Sequence, residues 1–310
     1  MLIKNKSILV AKFFVSMPFV LKNNTIEIHI DAPHENYQQA RFDWSSKIVL
    51  LKYRGIPVFA SEKLASTLAI NFGKAFYNEF GIDTALGFSE AMIGEGFHKI
   101  GVGILKKTTS TYDFMQTYEI TPCTFSYSNE DNKYTSQCIA PLVNGYAYEL
   151  KKEVKLLETG FKINYELVNT GNKTIITDEY CHNFLAVNNL LLGEGYLLSF
   201  PFELDTDKFN DFLNPDDVVS FSKKGMSFKD APKSDIFFSN VTGGKISDAS
   251  WQLFNTDVGI GIRETCDFKT DKINVWGCAH VISPELFFKI HLEPGKKISW
   301  NRAFSLFDNI

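Results

Sequence analysis

The chain has 310 residues, of which 45% are hydrophobic and 14% aromatic, enough for one large globular core or two smaller ones. Its formal net charge is −4, and it has no basic tract with interleaved aromatic residues, so nucleic-acid binding is not expected. Beyond the N-terminal region, no uncharged apolar run reaches the roughly 18 residues of a membrane-spanning helix, so no membrane association is expected.

The N-terminal stretch MLIKNKSILVAKFFVSMPFVL (1–21) bears on the location of the protein. It begins with basic residues and continues with apolar ones, but Lys12 interrupts the apolar part and no small-residue cleavage site follows. We therefore expect an uncleaved, cytoplasmic protein. The five cysteines are odd in number and lack CxxC or zinc-like spacing, which predicts reduced thiols rather than a disulfide framework or a metal site.

Alternation of apolar and polar residues recurs along the chain and predicts β-strands. The predicted strands are TIEIHI (25–30), SKIVLLKY (46–53), FKINYELVN (161–169), KTIITDEY (173–180) and ELFFKIHL (285–292). The sequence NTGN (169–172) predicts a hairpin turn between two of them. No linker, charge block or internal repeat divides the chain, so we predict a single domain, 1–310, of many antiparallel strands.

Helical periodicity is limited to one segment. SEKLASTLAINFGKAFYNEF (61–80) places Leu64, Leu68, Phe72 and Phe76 at helical spacing. This pattern predicts either a helix or a loop that carries one helix.

Several well-marked motifs are missing from the sequence. GEGFHKIGVG (94–103) does not have the GxGxxG spacing of a dinucleotide-binding loop, and neither a GxSxG elbow nor an HExxH pair occurs. His29 and Asp31 share a strand face, but two ligands are too few for a metal site, so a solvated strand face is favoured and no metal is predicted.

The segment DEYCHNFLAVNN (178–189) carries the most chemistry. Strand periodicity of two places one set of side chains on a common face: Ile176, Asp178, Tyr180, His182 and Phe184. A face that mixes an acid, a tyrosine and a histidine suits a carbohydrate, which needs directional hydrogen bonds and an aromatic surface. The alternative is that His182 is a structural residue whose hydrogen bonds are satisfied inside the protein.

Three segments in order, GEGFHKIGVG, EYCHNFLAVN and HVISPELFFKIHLEPGKKISW, resemble the aldose 1-epimerase, or galactose mutarotase-like, family. RFDWSSKIVLLKYRGIPVF (41–59) also resembles the pair of strands that opens the family's sandwich. The resemblance spans most of the chain and implies an all-β fold, a large antiparallel β-supersandwich with few short helices. It also implies that a broad concave sheet binds a monosaccharide or another small carbohydrate.

The resemblance further implies an isomerase that interconverts the anomers of an aldose. Glu285 would be the base that removes the O1 proton, and His182 the acid that protonates the ring oxygen. The residues expected to bind the substrate are His98, Arg41, Tyr180 and Asn183. Such chemistry needs no metal or organic cofactor, and the sequence leaves the oligomeric state open.

Alternatives exist for several of these roles. Glu285 is also compatible with a solvated acid on an edge strand, where the adjacent proline is tolerated. His280 and Glu95 are rival proton-transfer groups, and Arg41 is equally suited to a local salt bridge with Asp43.

Two alternative functions fit the same scaffold. One is a noncatalytic carbohydrate-binding protein in which Glu285 and His182 do not converge. The other is a lyase or hydrolase that acts on an oligosaccharide: a lyase would use the Tyr180–His182 pair, and a hydrolase would need paired carboxylates along a groove.

Overall fold

The computed structural model describes residues 18–64 and 69–308. Most of the N-terminal stretch that bears on location, residues 1–17, lies outside the described residues, as does Leu68 of the helical pattern. Within the described ranges, no helix is long and apolar enough to cross a membrane.

The described residues form 24 β-strands and two single-turn 3₁₀ helices, Ala69–Asn71 and Thr206–Lys208. The strands are β1 (Phe19–Lys22), β2 (Ile26–Asp31), β3 (Lys47–Tyr53), β4 (Ile56–Pro57), β5 (Phe76–Phe80), β6 (Gly96–Lys99), β7 (Gly103–Lys106), β8 (Ile120–Pro122), β9 (Thr124–Glu130), β10 (Lys133–Val143), β11 (Tyr146–Leu156), β12 (Gly160–Asn169), β13 (Ile175–Asn183), β14 (Tyr196–Ser199), β15 (Asp211–Leu213), β16 (Val219–Ser222), β17 (Gly225–Phe228), β18 (Ile236–Ser239), β19 (Ser247–Asn255), β20 (Ile260–Thr270), β21 (Ile273–Cys278), β22 (Val281–Leu286), β23 (Phe288–Leu292) and β24 (Lys297–Asp308).

Four sheets contain these strands, and every pairing within them is antiparallel. A ten-stranded sheet has the order β16-β17-β14-β19-β20-β24-β12-β11-β10-β9, and a seven-stranded sheet has the order β1-β2-β3-β5-β13-β23 with β4 beside β3. Smaller sheets have the orders β15-β18-β21-β22 and β6-β7-β8. The all-β prediction of broad antiparallel sheets with few short helices is confirmed.

The hydrophobic core lies mainly between the ten-stranded sheet and the seven-stranded sheet. Phe76 of β5 packs edge-on against Phe161 of β12 and Phe304 of β24, with ring centroids 5.2 and 4.9 Å away. The next residue, Tyr77, points to a second cluster on the opposite face of the seven-stranded sheet, where it packs against Phe42. The centre of this sheet is therefore buried on both faces, and its β13 can present different side chains to each.

Four of the strand predictions fall on β2, β3, β12 and β13 and are confirmed. The hairpin prediction at 169–172 is wrong, because β12 belongs to the ten-stranded sheet and β13 to the seven-stranded sheet. Both strands have apolar faces that meet across the core, so the NTGN segment connects opposite layers of the sandwich instead of paired neighbours.

Two other local predictions are corrected. ELFFKIHL does not form one strand, because the chain leaves β22 after Leu286 and enters β23, in a different sheet, at Phe288. In the described part of 61–80 the helical structure consists of the 3₁₀ turn Ala69–Asn71, and Phe76–Phe80, which includes the last residue of the helical pattern, is a strand. All five side chains of Phe76–Phe80 are buried, and burial on both faces removes the alternation that marks an exposed strand.

A buried arginine links the two layers of the sandwich. Arg302 of β24 has no solvent exposure and donates to Glu179 of β13 at 2.7 Å and to Glu264 of β20 at 2.8 Å. Each carboxylate has further donors, since Trp300 donates to Glu179 and Trp251 to Glu264. Charges at this depth are tolerated only because each is paired and hydrogen-bonded.

Replacement of Arg302 should therefore destabilise the fold strongly. We expect Arg302→Met to lower the free energy of unfolding by about 3–5 kcal/mol, because two buried carboxylates lose their partner. Denaturant unfolding followed by circular dichroism measures this. The control is Arg263→Met, which removes an exposed arginine from the neighbouring β20 and should cost less than about 0.5 kcal/mol. Equal losses in the two variants would contradict the expectation.

Candidate functional site

A cavity of about 860 Å³ opens over the four-stranded sheet and the centre of the seven-stranded sheet. Side chains from β13 and β22 line it where these two sheets meet, and β21, β18 and β15 extend the lining to one side. The loops at Arg41, 62–63, 82–83 and 114–115 complete its walls. The cavity lies on the face of β13 opposite to the buried Arg302.

The structure brings His182 and Glu285 together in this cavity. The alternation of β13 directs Tyr180 and His182 into it, as predicted, and His182 Nε2 lies 3.3 Å from Glu285 Oε1. Phe184 stacks on the imidazole with ring centroids 3.9 Å apart, and Trp276 meets its edge. Glu285 is only 4% exposed, which corrects the alternative of a solvated strand acid.

Burial determines where this pair holds its proton. It raises the pKa of Glu285 to about 8, because the charged carboxylate is poorly solvated, and nearby Arg41 opposes this only in part. Burial lowers the pKa of His182 well below its ordinary value, and the positive charge of Arg41 lowers it further. These opposite shifts favour a protonated Glu285 carboxyl beside a neutral His182 imidazole. The predicted roles, with Glu285 as base and His182 as acid, start from an ionised carboxylate and a protonated imidazole instead.

Arg41 and Tyr180 lie beside the pair and share one buried carboxylate. Arg41 Nε donates to Glu79 at 2.9 Å and its Nη1 donates to Glu62 at 3.2 Å, while the Tyr180 hydroxyl donates to Glu79 at 2.7 Å. Arg41 is thus both a cavity residue and a salt-bridge residue, although its partners are not the predicted Asp43. Glu79 fixes both side chains at the cavity wall.

His98 does not line this cavity, so the structure does not bring it together with His182 and Glu285. It lies on β6 of the three-stranded sheet, is fully buried, and its Nε2 contacts the Tyr146 carbonyl oxygen at 3.0 Å. Burial lowers the pKa of His98 to about 4, which leaves the imidazole neutral. GEGFHKIGVG contributes β6 to the three-stranded sheet, and the side chain of His98 on this strand points into the protein interior. The resemblance in sequence carries no information on side-chain direction.

Asn183 also lies outside the cavity, because it is adjacent to His182 and strand alternation directs it to the opposite face. There it holds β22 in place, since its Nδ2 donates to the Pro284 carbonyl oxygen at 2.7 Å and its backbone N–H donates to Ser283 Oγ at 3.0 Å. Ser283 in turn donates to Glu285 Oε1 at 3.3 Å. Asn183 is therefore a positioning residue. The two-residue periodicity of the strand, applied to Asn183, predicts this orientation, opposite to that of His182.

The two rival proton-transfer groups are not part of the site. His280 contacts the Ser61 carbonyl oxygen at 3.0 Å, and Glu95 accepts the Met92 N–H at 2.8 Å in a turn. Neither lines the cavity. In the described parts of the chain, no group of three or more His, Cys, Asp or Glu side chains could hold a metal ion.

No family model and no curated protein matches this chain. Solved structures do: a galactose mutarotase related enzyme from Lactobacillus acidophilus is 12% identical with a TM-score of 0.59, and 94% of this chain covers 98% of that one. A galactose mutarotase-like protein from Lactobacillus casei is 12% identical with a TM-score of 0.56, over 94% and 100% of the two chains. An Escherichia coli K12 protein with a provisional aldose 1-epimerase name is 8% identical with a TM-score of 0.60, over 94% and 99%.

These likenesses show the fold of this chain. It is that of the galactose mutarotase-like structures, with large antiparallel sheets packed face to face, so the fold expected from the resemblance is confirmed. At such low identity, the comparison does not extend to the activity or to individual site residues.

The unusual proton affinity of Glu285 should be visible in the pH dependence of stability. The folded protein keeps this proton up to about pH 8, whereas an unfolded glutamate releases it near 4.5. The folded state binds more protons between these values, so the contribution of Glu285 is fully present below pH 4.5 and is lost as pH rises through 8.

We therefore expect Glu285→Gln to be more stable than the wild type at pH 9, by roughly 2–4 kcal/mol, and to approach it near pH 5. Urea unfolding at both pH values measures the difference. Glu166→Gln, which removes a half-exposed carboxylate from β12, should leave the pH dependence of stability close to that of the wild type. The expectation fails if Glu285→Gln shows the same loss of stability with pH as the wild type.

Proposed function

We propose that this protein is a carbohydrate-binding isomerase of the aldose 1-epimerase type, which interconverts the anomers of a reducing sugar. The observation that carries the proposal is the contact of His182 and Glu285 in the cavity. Two groups that share one proton are what the reaction needs, because it removes a proton from one sugar oxygen and adds one to another. The neighbours' names, which refer to galactose mutarotase and aldose 1-epimerase, support the same choice.

The pKa shifts of the pair favour one assignment of the first step. The Glu285 carboxyl protonates the ring oxygen while His182 accepts the O1 proton; the C1–O5 bond breaks and a C1=O1 double bond forms. Rotation about C1–C2 then exposes the other face of the carbonyl. On reclosure O5 attacks C1, Glu285 takes back its proton from O5, and His182 returns a proton to O1. Each group acts once as acid and once as base, and the pair ends as it began.

Two further side chains suit substrate binding. Arg41 can donate to sugar hydroxyls from the cavity wall, held there by Glu79 and Glu62. Trp276 offers an aromatic surface beside the His182 ring. Both proton transfers use side chains alone, so the proposed reaction requires no cofactor.

The alternative functions have weaker support. A noncatalytic carbohydrate-binding protein requires that Glu285 and His182 do not converge, but the two are in contact. A lyase would need the Tyr180 hydroxyl as a base, but burial and the charge of Glu79 raise the pKa of Tyr180 well above its ordinary value. Neutral Tyr180 is instead a hydrogen-bond donor to Glu79.

Removal of either partner should abolish most of the catalysis. We expect Glu285→Gln and His182→Asn each to lower kcat/KM for aldose mutarotation by roughly 10²–10⁴-fold, since each group transfers a proton in the transition state. Polarimetry on freshly dissolved α-glucose, α-galactose and other aldoses measures this, after subtraction of the uncatalysed rate.

The chain offers a matched control on its surface. His291 and Glu293 form an exposed pair with 3.0 Å between Nε2 and Oε1, close to the spacing in the cavity. His291→Asn and Glu293→Gln should keep wild-type rates. Full activity in both cavity variants would reject the proposed roles, and activity lost in the surface variants would show that the effect is not specific to the cavity.

The pH dependence of kcat/KM should report the shared proton. We expect activity to fall as pH rises through about 8, where the pair loses its proton, and to persist at acidic pH below 6.5, because His182 resists protonation. Rates measured from pH 4 to 10, corrected for buffer catalysis, test this. A half-maximal rate near pH 6.5 on the acid side would show that His182 titrates as an ordinary histidine and would contradict the expected profile.

A further inference from the structure

The cavity is larger than one sugar ring requires. If every heavy atom of a hexose is given the ~30 Å³ that a water molecule occupies in the liquid, the ring needs no more than roughly 360 Å³. The cavity has about 860 Å³. More than half of it would stay unfilled by a monosaccharide bound at Glu285 and His182.

The extra space lies over the four-stranded sheet, where strand register builds a polar row that begins at Glu285. Glu285 of β22 pairs with Asn274 of β21, and Ser239 of β18 pairs with Asp211 of β15. The register between β18 and β21 brings Ser239 next to Asn274. All four side chains line the cavity, and three steps of about 4.8 Å between neighbouring strands span about 14 Å.

An aromatic row runs beside this polar row. Trp276 lies two residues from Asn274 on β21, and Phe237 lies two residues from Ser239 on β18, so both share the face of the polar row. Trp276 and Phe237 pair with each other, and both line the cavity. Aromatic faces next to hydrogen-bonding groups are what a sugar ring needs, because its C–H face packs on an aromatic surface while its hydroxyls need directional partners. The row of Asn274, Ser239, Asp211, Trp276 and Phe237 is called the platform below.

The platform suits a neutral sugar. Of the three lysines that line the cavity, Lys63, Lys272 and Lys289, two are already paired, Lys272 with Asp83 at 3.2 Å and Lys289 with Asp271 at 2.6 Å. Ser239 Oγ donates to Asp211 Oδ2 at 2.5 Å, which leaves the other carboxylate oxygen available to accept from a hydroxyl. A phosphate would meet an acid at the end of the row.

We propose that the site takes a neutral reducing oligosaccharide of at least two rings. The reducing ring lies at Glu285 and His182, and the second ring lies on the platform, with its hydroxyls toward Asn274 and Asp211. The placement of the reducing ring rests on the proposed function. The binding of a second ring over the four-stranded sheet does not, because it follows from the cavity and the strand register alone.

The test compares glucose with three reducing disaccharides: maltose, cellobiose and lactose. We expect kcat/KM for at least one disaccharide to exceed that for glucose by tenfold or more. In saturation-transfer NMR, protons of both of its rings should receive magnetisation from the protein. Phe237→Ala and Asp211→Ala should lower the ratio of disaccharide to glucose kcat/KM toward one and reduce the transfer to the second ring.

The matched control is Leu197→Ala, which shortens an exposed side chain of β14 outside the cavity lining and should keep the disaccharide preference. Because Phe237 is partly buried, circular dichroism checks that its variant folds; if it does not, exposed Asp211 carries the test.

The outcomes separate this inference from the proposed function. Turnover of glucose with no preference for any disaccharide, and transfer confined to the reducing ring, would overturn the inference and leave the epimerase proposal intact. Transfer to both rings that is lost in Phe237→Ala and Asp211→Ala, without turnover of any sugar, would support the platform and reject the epimerase.

Discussion

The guanidinium of Arg302 is the contact on which the geometry of this sandwich depends. From β24 it reaches the side chain of Glu179 on β13, that of Glu264 on β20 and the backbone carbonyl of Leu286 on β22. One buried cation thereby joins strands of three sheets. Because an unpaired charge at this depth is very costly, arrangements that separate these strands are strongly disfavoured, and the relative position of the layers is restricted to a narrow range.

The same network also fixes the position of Glu285, whose carboxylate lies on the other side of β22. Arg302 holds the carbonyl of Leu286, and Asn183 holds that of Pro284, so the residues on both sides of Glu285 are anchored. Pro284 has no backbone N–H to donate, and its carbonyl oxygen accepts from the Asn183 side chain. Because the carbonyl oxygens of Pro284 and Leu286 are held in this way, the side chain of Glu285 points into the cavity, where His182 lies.

The sequence predicted the parts of this arrangement that follow from periodicity. Alternation in 178–184 predicts that Tyr180 and His182 share one strand face, as they do in the structure. Repeated alternation along the chain predicts the all-β fold. His98 and Asn183 do not line the cavity. The resemblance aligned whole segments and did not determine which face of a strand each residue occupies, and a one-residue change of position reverses that face. The sequence does not reveal that ELFFKIHL is divided between two sheets. A buried connection from one sheet to another has the same continuous apolar pattern as a buried strand.

Burial shifts the pKa values of Glu285 and His182 in opposite directions. It disfavours both charged forms, so the pKa of Glu285 rises while that of His182 falls, and one proton remains with the pair over a wide pH range. Solvent exposure of the two groups would bring their pKa values back to the ordinary order, with an ionised carboxylate below a titrating imidazole. The dry, aromatic surroundings of Phe184 and Trp276 therefore keep Glu285 available as a proton donor at neutral pH.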